Sequence, residues 1–279
     1  MQERAILNKR ITMARAFAPV SIAIAVLLAG CVRSAPAAPA ITPGAPARAQ
    51  ITVAAAADLQ FAFADIARLF EAQTGHTVTL VFGSTGQLAQ QIEHGAPYDL
   101  LAAANIQYVQ ALADKGLIAP DSIALYARGR IVLAVNKQSG LKINRLEDLT
   151  APDILRVAIA NPDHAPYGTA AKQALEAAGV WEAVKSKIVL GENVRQTLQF
   201  VQTGDAPAGI VALSVANVPE IDYTLIDDRL HQPLDQALGI VAASKNKEIA
   251  AAFVAFVNGD QGRPIMRRYG FLLPDEIPR

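Results

Sequence analysis

The hydrophobic positions of the chain change their spacing repeatedly, from short apolar runs to a helical period. Residues 51–56 form an apolar run that is typical of a buried strand, and residues 59–72 then place large apolar side chains on one helix face. Gly75 follows, and glycine is suited to the left-handed backbone conformation that often ends an α-helix. This segment predicts a strand followed by a helix that packs on it. The apolar helix face consists of Leu59, Phe63, Ile66 and Phe70.

The same alternation continues along the rest of the chain. Repeated units of this length favour an α/β fold with mostly parallel sheets covered by helices. In such sheets a ligand binds beyond the carboxyl ends of the strands, next to helix N-termini. The predicted strands are 77–82, 99–103, 131–135, 156–160, 187–190, 208–212 and 237–243. The predicted helices are 87–93, 106–115, 145–149, 169–178, 194–203 and 248–257.

Residues 1–31 have the features of an export signal and are left out of the fold prediction. A basic start precedes an apolar run over 16–29, which is shorter than the roughly 20 residues of a membrane span. The run ends in Leu-Ala-Gly-Cys, which resembles a bacterial lipobox, so we predict a lipid on Cys31. The alternative is an ordinary signal peptide that is cleaved near 35–40.

Residues 32–50 are rich in proline and alanine and lack a helical period. This composition is typical of a disordered tether. A lipid on Cys31 followed by a tether predicts a domain that is held in the periplasm or at the extracellular face of a membrane, with the lipid as its only membrane contact. Cys31 is also the only cysteine, so the sequence allows no disulfide within the chain.

Charge and motifs argue against other classes of function. Lys+Arg and Asp+Glu both number 25, so the composition does not indicate a nucleic-acid-binding protein. The histidines lack metal-ligand spacing, and Ser84 lies in Gly-Ser-Thr-Gly, which is not a nucleophile elbow. We therefore expect a protein that is not an enzyme and has neither cofactor nor structural metal. A hydrolase or transferase stays the weaker alternative, since it needs a nucleophile and a base in contact.

Four predicted strand-to-helix junctions are built from small or capping residues. Each presents free backbone N–H groups and the positive end of a helix dipole. Several such junctions together would bind an oxyanion without a buried lysine or arginine. Taken singly, each is more simply explained as an ordinary helix cap. The junctions are Ala56-Ala57-Asp58, Gly83-Ser84-Thr85-Gly86, Pro166-Tyr167-Gly168-Thr169 and Glu192-Asn193-Val194-Arg195.

These segments resemble the molybdate-binding protein of bacterial ABC importers. The similarity runs in order from about residue 51 to residue 271, and its most specific motifs are GSTGQLAQQIEHGAP at 83–97 and RRYGF at 267–271. It implies a two-lobed periplasmic binding protein type II fold, in which each lobe is a mixed, mostly parallel sheet flanked by helices. Crossing strands near 131–134 and 237–241 would join the lobes. The implied lobes are 51–130 with 237–279, and 131–236.

The resemblance also implies a function. The chain would be an extracytoplasmic solute-binding lipoprotein, expected to be a monomer, that captures a tetrahedral oxyanion in the cleft. The expected ligand is molybdate or tungstate, delivered to an ABC permease that a cytoplasmic ATPase drives. A sensory role that presents the bound anion to a receptor would use the same site.

The resemblance assigns site residues by motif. Thr85, next to Ser84, stands at a position where a hydroxyl binds the anion, and Tyr167 and Val194 stand at positions that donate a backbone N–H. Two positions depart from the pattern. Asp58 stands where the family has a serine, and Ala212 stands where it has a tyrosine that donates from its phenol. Tyr167 is a candidate to supply a phenol in its place. These departures keep open an alternative ligand on the same fold, either a protonatable, phosphate-like anion or a metal complex.

Three roles for Asp58 stay open at this stage. It caps its own helix and leaves backbone N–H groups to the anion, or it accepts a hydrogen bond from a protonated ligand. In the third role it binds the metal centre of the ligand or pairs with an arginine such as Arg130. Arg128 is a further candidate for the site, although a solvated strand end explains it more simply. A carboxylate that faces a dianion in a desolvated site is unfavourable unless a proton or cation is shared.

Overall fold

The structure is a computed structural model, and it describes residues 48–277. The predicted signal peptide, Cys31 and all of the predicted tether before residue 48 lie outside the described residues. Within residues 48–277, no helix is both long enough and apolar enough to span a membrane.

Strands and helices alternate through this part of the chain. The strands are β1 (Gln50–Ala56), β2 (Thr77–Gly83), β3 (Leu100–Ala103), β4 (Ala124–Gly129), β5 (Ile131–Asn136), β6 (Val157–Ala160), β7 (Ile188–Gly191), β8 (Ala208–Ala212), β9 (Ile221–Leu225) and β10 (Leu234–Ile240). The helices are α1 (Gln60–Thr74), α2 (Thr85–Glu93), α3 (Ile106–Asp114), α4 (Pro166–Ala177), α5 (Trp181–Val184), α6 (Val194–Thr203), α7 (Lys247–Val257) and α8 (Gly262–Arg268).

The strands form two five-stranded sheets, one for each lobe. The first sheet has the order β2-β1-β3-β10-β4, and the second has the order β7-β6-β8-β5-β9. The two-lobed α/β fold is therefore confirmed. Each sheet has two parallel and two antiparallel pairings. In the first sheet β10, and in the second sheet β5, runs against the other four strands, so each sheet is mixed and mostly parallel, as predicted. The antiparallel pairings arise because β4, β5, β9 and β10 connect the lobes or follow such a connection.

Two connections join the sheets: a short one from β4 to β5 and a longer one from β9 to β10. Arg130 alone separates β4 of the first sheet from β5 of the second. The chain returns to the first sheet in β10, whose residue Leu234 pairs with Gly129. Residues 234–236 thus pair with β4 within the first sheet. The lobe boundaries at 130 and 236 stay predictions.

The largest differences from the predicted elements concern strands and one helix start. The sequence pattern did not predict β4, β9 or α8. The two strands are edge strands whose partly exposed positions do not alternate cleanly between apolar and polar residues. Helix α4 begins at Pro166, three residues earlier than expected. Proline suits the first helical position because the N–H that it lacks has no partner there. As a result, Tyr167 lies in the first turn of α4.

The helices meet the sheets through small and apolar residues. Helix α1 buries Phe63, Ile66 and Phe70 as predicted, and it ends at Gly75 with φ 74°. The Phe70 ring packs edge-on against Phe253 of α7, with centroids 5.2 Å apart. This packing fixes α1, and with it the end of β1, from which Asp58 follows.

Candidate functional site

All four predicted junctions contribute to one cavity between the carboxyl ends of strands from both sheets. The cavity is narrow, about 10 Å³, which is about the space that one water molecule needs. Five of the six predicted ligand residues line it. The full lining is Ala56, Ala57, Asp58, Gly83, Ser84, Thr85, Ala104, Ala165, Pro166, Tyr167, Asn193 and Val194.

Three helices begin at this cavity. Helix α2 begins at Thr85, α4 at Pro166 and α6 at Val194. The first N–H groups of a helix have no partner within the helix, and the dipole makes this end positive. Tyr167 and Val194 lie in the first turns of α4 and α6, so their N–H groups are of this kind. The Asn193 side chain caps α6 by accepting from the N–H groups of Arg195 and Gln196 at 3.0 and 3.1 Å.

Two hydroxyl groups stand at the start of α2. The Oγ of Ser84 donates to Gln87 Oε1 at 3.0 Å and lies 2.7 Å from His164 Nδ1. The Oγ1 of Thr85 accepts from the N–H of Ala104 at 3.0 Å. Within residues 48–277 the Thr85 hydroxyl hydrogen has no acceptor, so this hydroxyl keeps a donor for a ligand.

Asp58 takes part in a buried polar network, and its side chain is 1% exposed. Its Oδ2 accepts from the Tyr167 hydroxyl at 3.0 Å and from Gln236 Nε2 at 2.8 Å. Gln236 Oε1 in turn accepts from the Tyr126 hydroxyl at 2.6 Å. The other carboxyl oxygen, Oδ1, is buried and has no hydrogen-bond partner among the described residues. Ser214 Oγ donates to the backbone carbonyl of Asp58 at 2.8 Å.

Burial dominates the electrostatics of this network. It raises the pKa of Asp58 to about 6, against the opposing effect of the hydrogen bonds from Gln236 and Tyr167. Burial, and then the charge of Asp58, raise the pKa of both Tyr126 and Tyr167 well above the usual range. Both phenols are therefore protonated donors at neutral pH, and Asp58 is the group in the network that changes charge near it.

The structure shows neither the helix cap nor the arginine pair considered for Asp58. Its side chain does not cap α1, whose first turn has no side-chain cap. It also does not pair with Arg130, whose guanidinium donates to the Gly270 carbonyl at 2.9 and 3.2 Å. Arg128 pairs with Asp235 at 2.6 Å and does not line the cavity. The carboxyl group of Asp58 instead accepts from neutral donors of α4 and β10, which are distant in the sequence.

Ala212 is the predicted ligand residue that the structure keeps away from the cavity. It is fully buried at the end of β8, where it pairs with Ile131, and it is not part of the cavity lining. The Tyr167 phenol does not replace the missing donor. Its one hydrogen is directed to Asp58, so the backbone N–H is the donor that Tyr167 keeps for a ligand.

Sequence reasoning missed Gln236, Tyr126 and Gly129. Gln236 is a fully buried polar side chain within β10, and in the sequence it follows Asp235 directly, so it resembles an exposed polar position at the start of the strand. A Cβ on Gly129 would overlap the Tyr167 hydroxyl and lie 2.7 Å from Gln236 Nε2. This glycine therefore provides the space in which the network forms.

The chain is similar to known binding proteins over nearly all of its described part. The family profile described as "Bacterial extracellular solute-binding protein" matches residues 51–272. The molybdate-binding protein ModA of Azotobacter vinelandii is 35% identical over 235 residues, covering 80% of this chain and 90% of that protein. ModA of Rhodobacter capsulatus is 31% identical over 227 residues, covering 81% of this chain and 89% of that protein.

A solved structure extends the similarity to the fold. The Azotobacter vinelandii periplasmic molybdate-binding protein superimposes with a TM-score of 0.76 at 29% sequence identity. The match covers 80% of this chain and 99% of that chain. The similarity of the fold therefore extends over both sheets.

Proposed function

We propose that this chain, which belongs to the family of bacterial extracellular solute-binding proteins, captures a tetrahedral oxyanion and delivers it to an ABC importer. The observation that carries the proposal is the convergence of three helix N-termini and two hydroxyl groups at one cavity. The similarity to molybdate-binding proteins supports molybdate or tungstate as the anion. The mechanism is binding and release without covalent chemistry.

Neutral donors hold the anion in this proposal. The Thr85 hydroxyl and the N–H groups of Tyr167 and Val194 donate to its oxygens, and Ser84 supports the start of α2. Among the described residues no lysine or arginine lines the cavity. Helix N-termini with aligned N–H groups stabilise an anion without a cationic side chain. Such a site binds the ion firmly and still releases it when the lobes part.

Opening of the lobes is part of the proposed cycle. A cavity with the space of one water must widen to admit a tetrahedral oxyanion. The single residue Arg130 between β4 and β5 is suited to act as a hinge, because few backbone angles need to change there. The anion then stabilises the closed state because both lobes contribute donors.

Contacts between the two lobes beside the cavity are expected to tune the affinity for the anion. The N–H of Gly86 donates to the His164 carbonyl at 2.8 Å, and Gln87 Nε2 donates to Glu192 Oε2 at 2.7 Å. We predict that Glu192→Ala raises the Kd for molybdate about two- to fivefold, since an exposed charged hydrogen bond contributes about 0.5 to 1 kcal/mol. Isothermal titration calorimetry measures the change.

The matched control for this prediction is Glu182→Ala. Glu182 pairs with Lys185 within one lobe and on the surface, so its loss should leave the Kd unchanged. Equal affinities for the two variants would show that the Gln87–Glu192 contact does not hold the lobes together.

Export and membrane attachment complete the proposal. The lipobox at Cys31 supports a lipid anchor. A monomer of this kind would dock on a permease that a cytoplasmic ATPase drives. Labelling cells with a radioactive or clickable fatty acid, in the wild type and in Cys31→Ala, tests the anchor; label that persists in the variant would refute it.

A ligand panel tests the proposed function. We expect the melting temperature to rise with molybdate and tungstate and to change little with sulfate, phosphate, arsenate or chromate. A ligand at about 1,000 times its Kd stabilises the folded state by roughly 4 kcal/mol, so the shift is easily measured. A response to phosphate or arsenate alone would favour the alternative ligand that Asp58 and Ala212 suggested. No response to any of these anions would refute the proposal.

A further inference from the structure

The carboxyl group of Asp58 offers one atom that the protein leaves without a partner. Asp58 lines the cavity together with Thr85 and Val194. Its Oδ1 is buried and has no hydrogen-bond partner among the described residues. Buried polar atoms are nearly always hydrogen-bonded, and an exception at a cavity indicates a missing partner. The ligand is the partner that this position suits.

The protein fixes which of the two carboxyl oxygens accepts hydrogen bonds. Oδ2 receives the Tyr167 hydroxyl at 3.0 Å and Gln236 Nε2 at 2.8 Å. The Tyr126 hydroxyl, by donating to Gln236 Oε1 at 2.6 Å, keeps the amide nitrogen of Gln236 toward Asp58. A protonated Asp58 therefore carries its hydrogen on Oδ1, because Oδ2 is occupied by two donors.

We propose that Asp58 binds the oxyanion as a neutral carboxylic acid, with Oδ1–H donating to an anion oxygen, so that anion binding takes up one proton. This inference rests on the proposed function, since it concerns the same cavity. In the protonated state, a hydrogen bond from the protein to the ligand takes the place of a like-charge contact between a carboxylate and a dianion. The proton comes from the solvent and returns to it on release, and no covalent bond to the anion forms.

The charges around Asp58 agree with this assignment. Within residues 48–277 Asp58 forms no salt bridge: Arg130 binds the Gly270 carbonyl, and Arg195 of α6 lies over the Phe61 ring. The phenols of β4 and α4 that face Asp58 stay neutral, and β10 and the turn after β8 contribute only the uncharged Gln236 and Ser214. His164 is the titratable group nearest the cavity on the other side, bonded to Ser84. Among the described residues, the groups that contact the Asp58 carboxyl group are therefore uncharged hydrogen-bond donors.

The proton uptake gives the affinity a definite pH dependence. Burial raises the pKa of Asp58 to about 6 in the empty site, and a bound dianion raises that pKa further. At a pH between these two pKa values, Asp58 is ionised in the empty site and protonated in the complex. Binding then takes up a proton, so the Kd rises about tenfold for each pH unit. From about pH 6 to about pH 8 the Kd for molybdate should therefore rise roughly 50-fold.

Asp58→Asn is the matched variant, because the amide reproduces the neutral acid. Its oxygen accepts from Tyr167 and Gln236, and its nitrogen donates from the position of Oδ1 at every pH. We expect a Kd for molybdate that is flat between about pH 6 and about pH 8 and that lies far below the wild-type value at the upper end. His164→Asn should keep the wild-type slope, which separates Asp58 from the other titratable group beside the cavity.

Calorimetry of the full-length wild-type protein with sodium molybdate tests the inference without any variant. Titrations near pH 7.5 in buffers of different ionisation enthalpy should show uptake of about one proton per anion bound, and Asp58→Asn should show none. Binding by the wild type with no proton uptake and a flat pH profile would overturn the inference and leave the proposed function intact. A wild type that binds no anion at any pH would refute the proposed function itself.

Discussion

Gly129→Ala is expected to destabilise the protein by about 3 kcal/mol and to weaken anion binding at least about tenfold. A Cβ at this position would overlap the Tyr167 hydroxyl and would lie 2.9 Å from its Cζ and 2.7 Å from Gln236 Nε2. Either side chain can yield only by giving up its hydrogen bond to Asp58. The added methyl therefore causes both steric strain and a loss of buried hydrogen bonds.

Thermal unfolding and calorimetry measure the two effects. For a domain of this size the expected loss corresponds to about 6 to 12 °C in melting temperature. The control is the double variant Gly129→Ala/Tyr167→Phe, in which the overlapping oxygen is absent. The double variant should lose less free energy of unfolding than the two single variants lose together, because the residues are in contact. Strictly additive losses would show that Gly129 and Tyr167 do not interact as described.

The sequence predicted those features of the site that depend on neighbouring residues. The start of α6 at Val194 follows from the capping residue Asn193, and the turn before α2 follows from Gly83 and Ser84. The general position of the site also follows, because ligands of α/β folds lie at the carboxyl ends of strands. These are local rules, and the structure places the junctions at one cavity. That Ser84, Thr85, Tyr167 and Val194 bind the anion stays a prediction.

The orientation of Asp58 could not be predicted, because its partners are far away in sequence. Tyr167 lies 109 residues and Gln236 lies 178 residues from it. A helix cap is the local choice for an aspartate at a helix start, and the network formed through β10 and α4 displaces it. The same reason applies to Ala212, whose burial at the end of β8 depends on its pairing with β5.

The cavity combines fixed donors with a single ionisable carboxyl group. Backbone N–H groups cannot change their charge, and among the described residues the cavity lining contains no lysine, arginine or histidine. The protonation of Asp58 is therefore the one property of the lining that responds to pH near neutrality. In the proposed site we therefore expect the helix ends to attract anions in general, and the Asp58 carboxyl group and the Thr85 hydroxyl to distinguish among them.

Thr85→Val is expected to raise the Kd for molybdate about 10- to 100-fold. The Thr85 hydroxyl accepts from the Ala104 N–H at 3.0 Å and keeps its own hydrogen for the ligand. A hydrogen bond to a charged group contributes about 1.5 to 3 kcal/mol, which corresponds to this range of Kd. Valine preserves the shape of the side chain, so the fold should survive, with a modest loss of stability from the unpaired Ala104 N–H.

Thr85→Ser is the control that separates the hydroxyl from the methyl group. Serine retains both the acceptor for Ala104 and the donor for the anion, so its Kd should stay within a fewfold of the wild type. Calorimetric titration with molybdate at one pH compares the three proteins, and circular dichroism verifies that each is folded. If valine and serine bind molybdate equally well, the hydroxyl of Thr85 does not contact the anion, and the helix N-termini alone would have to account for the affinity.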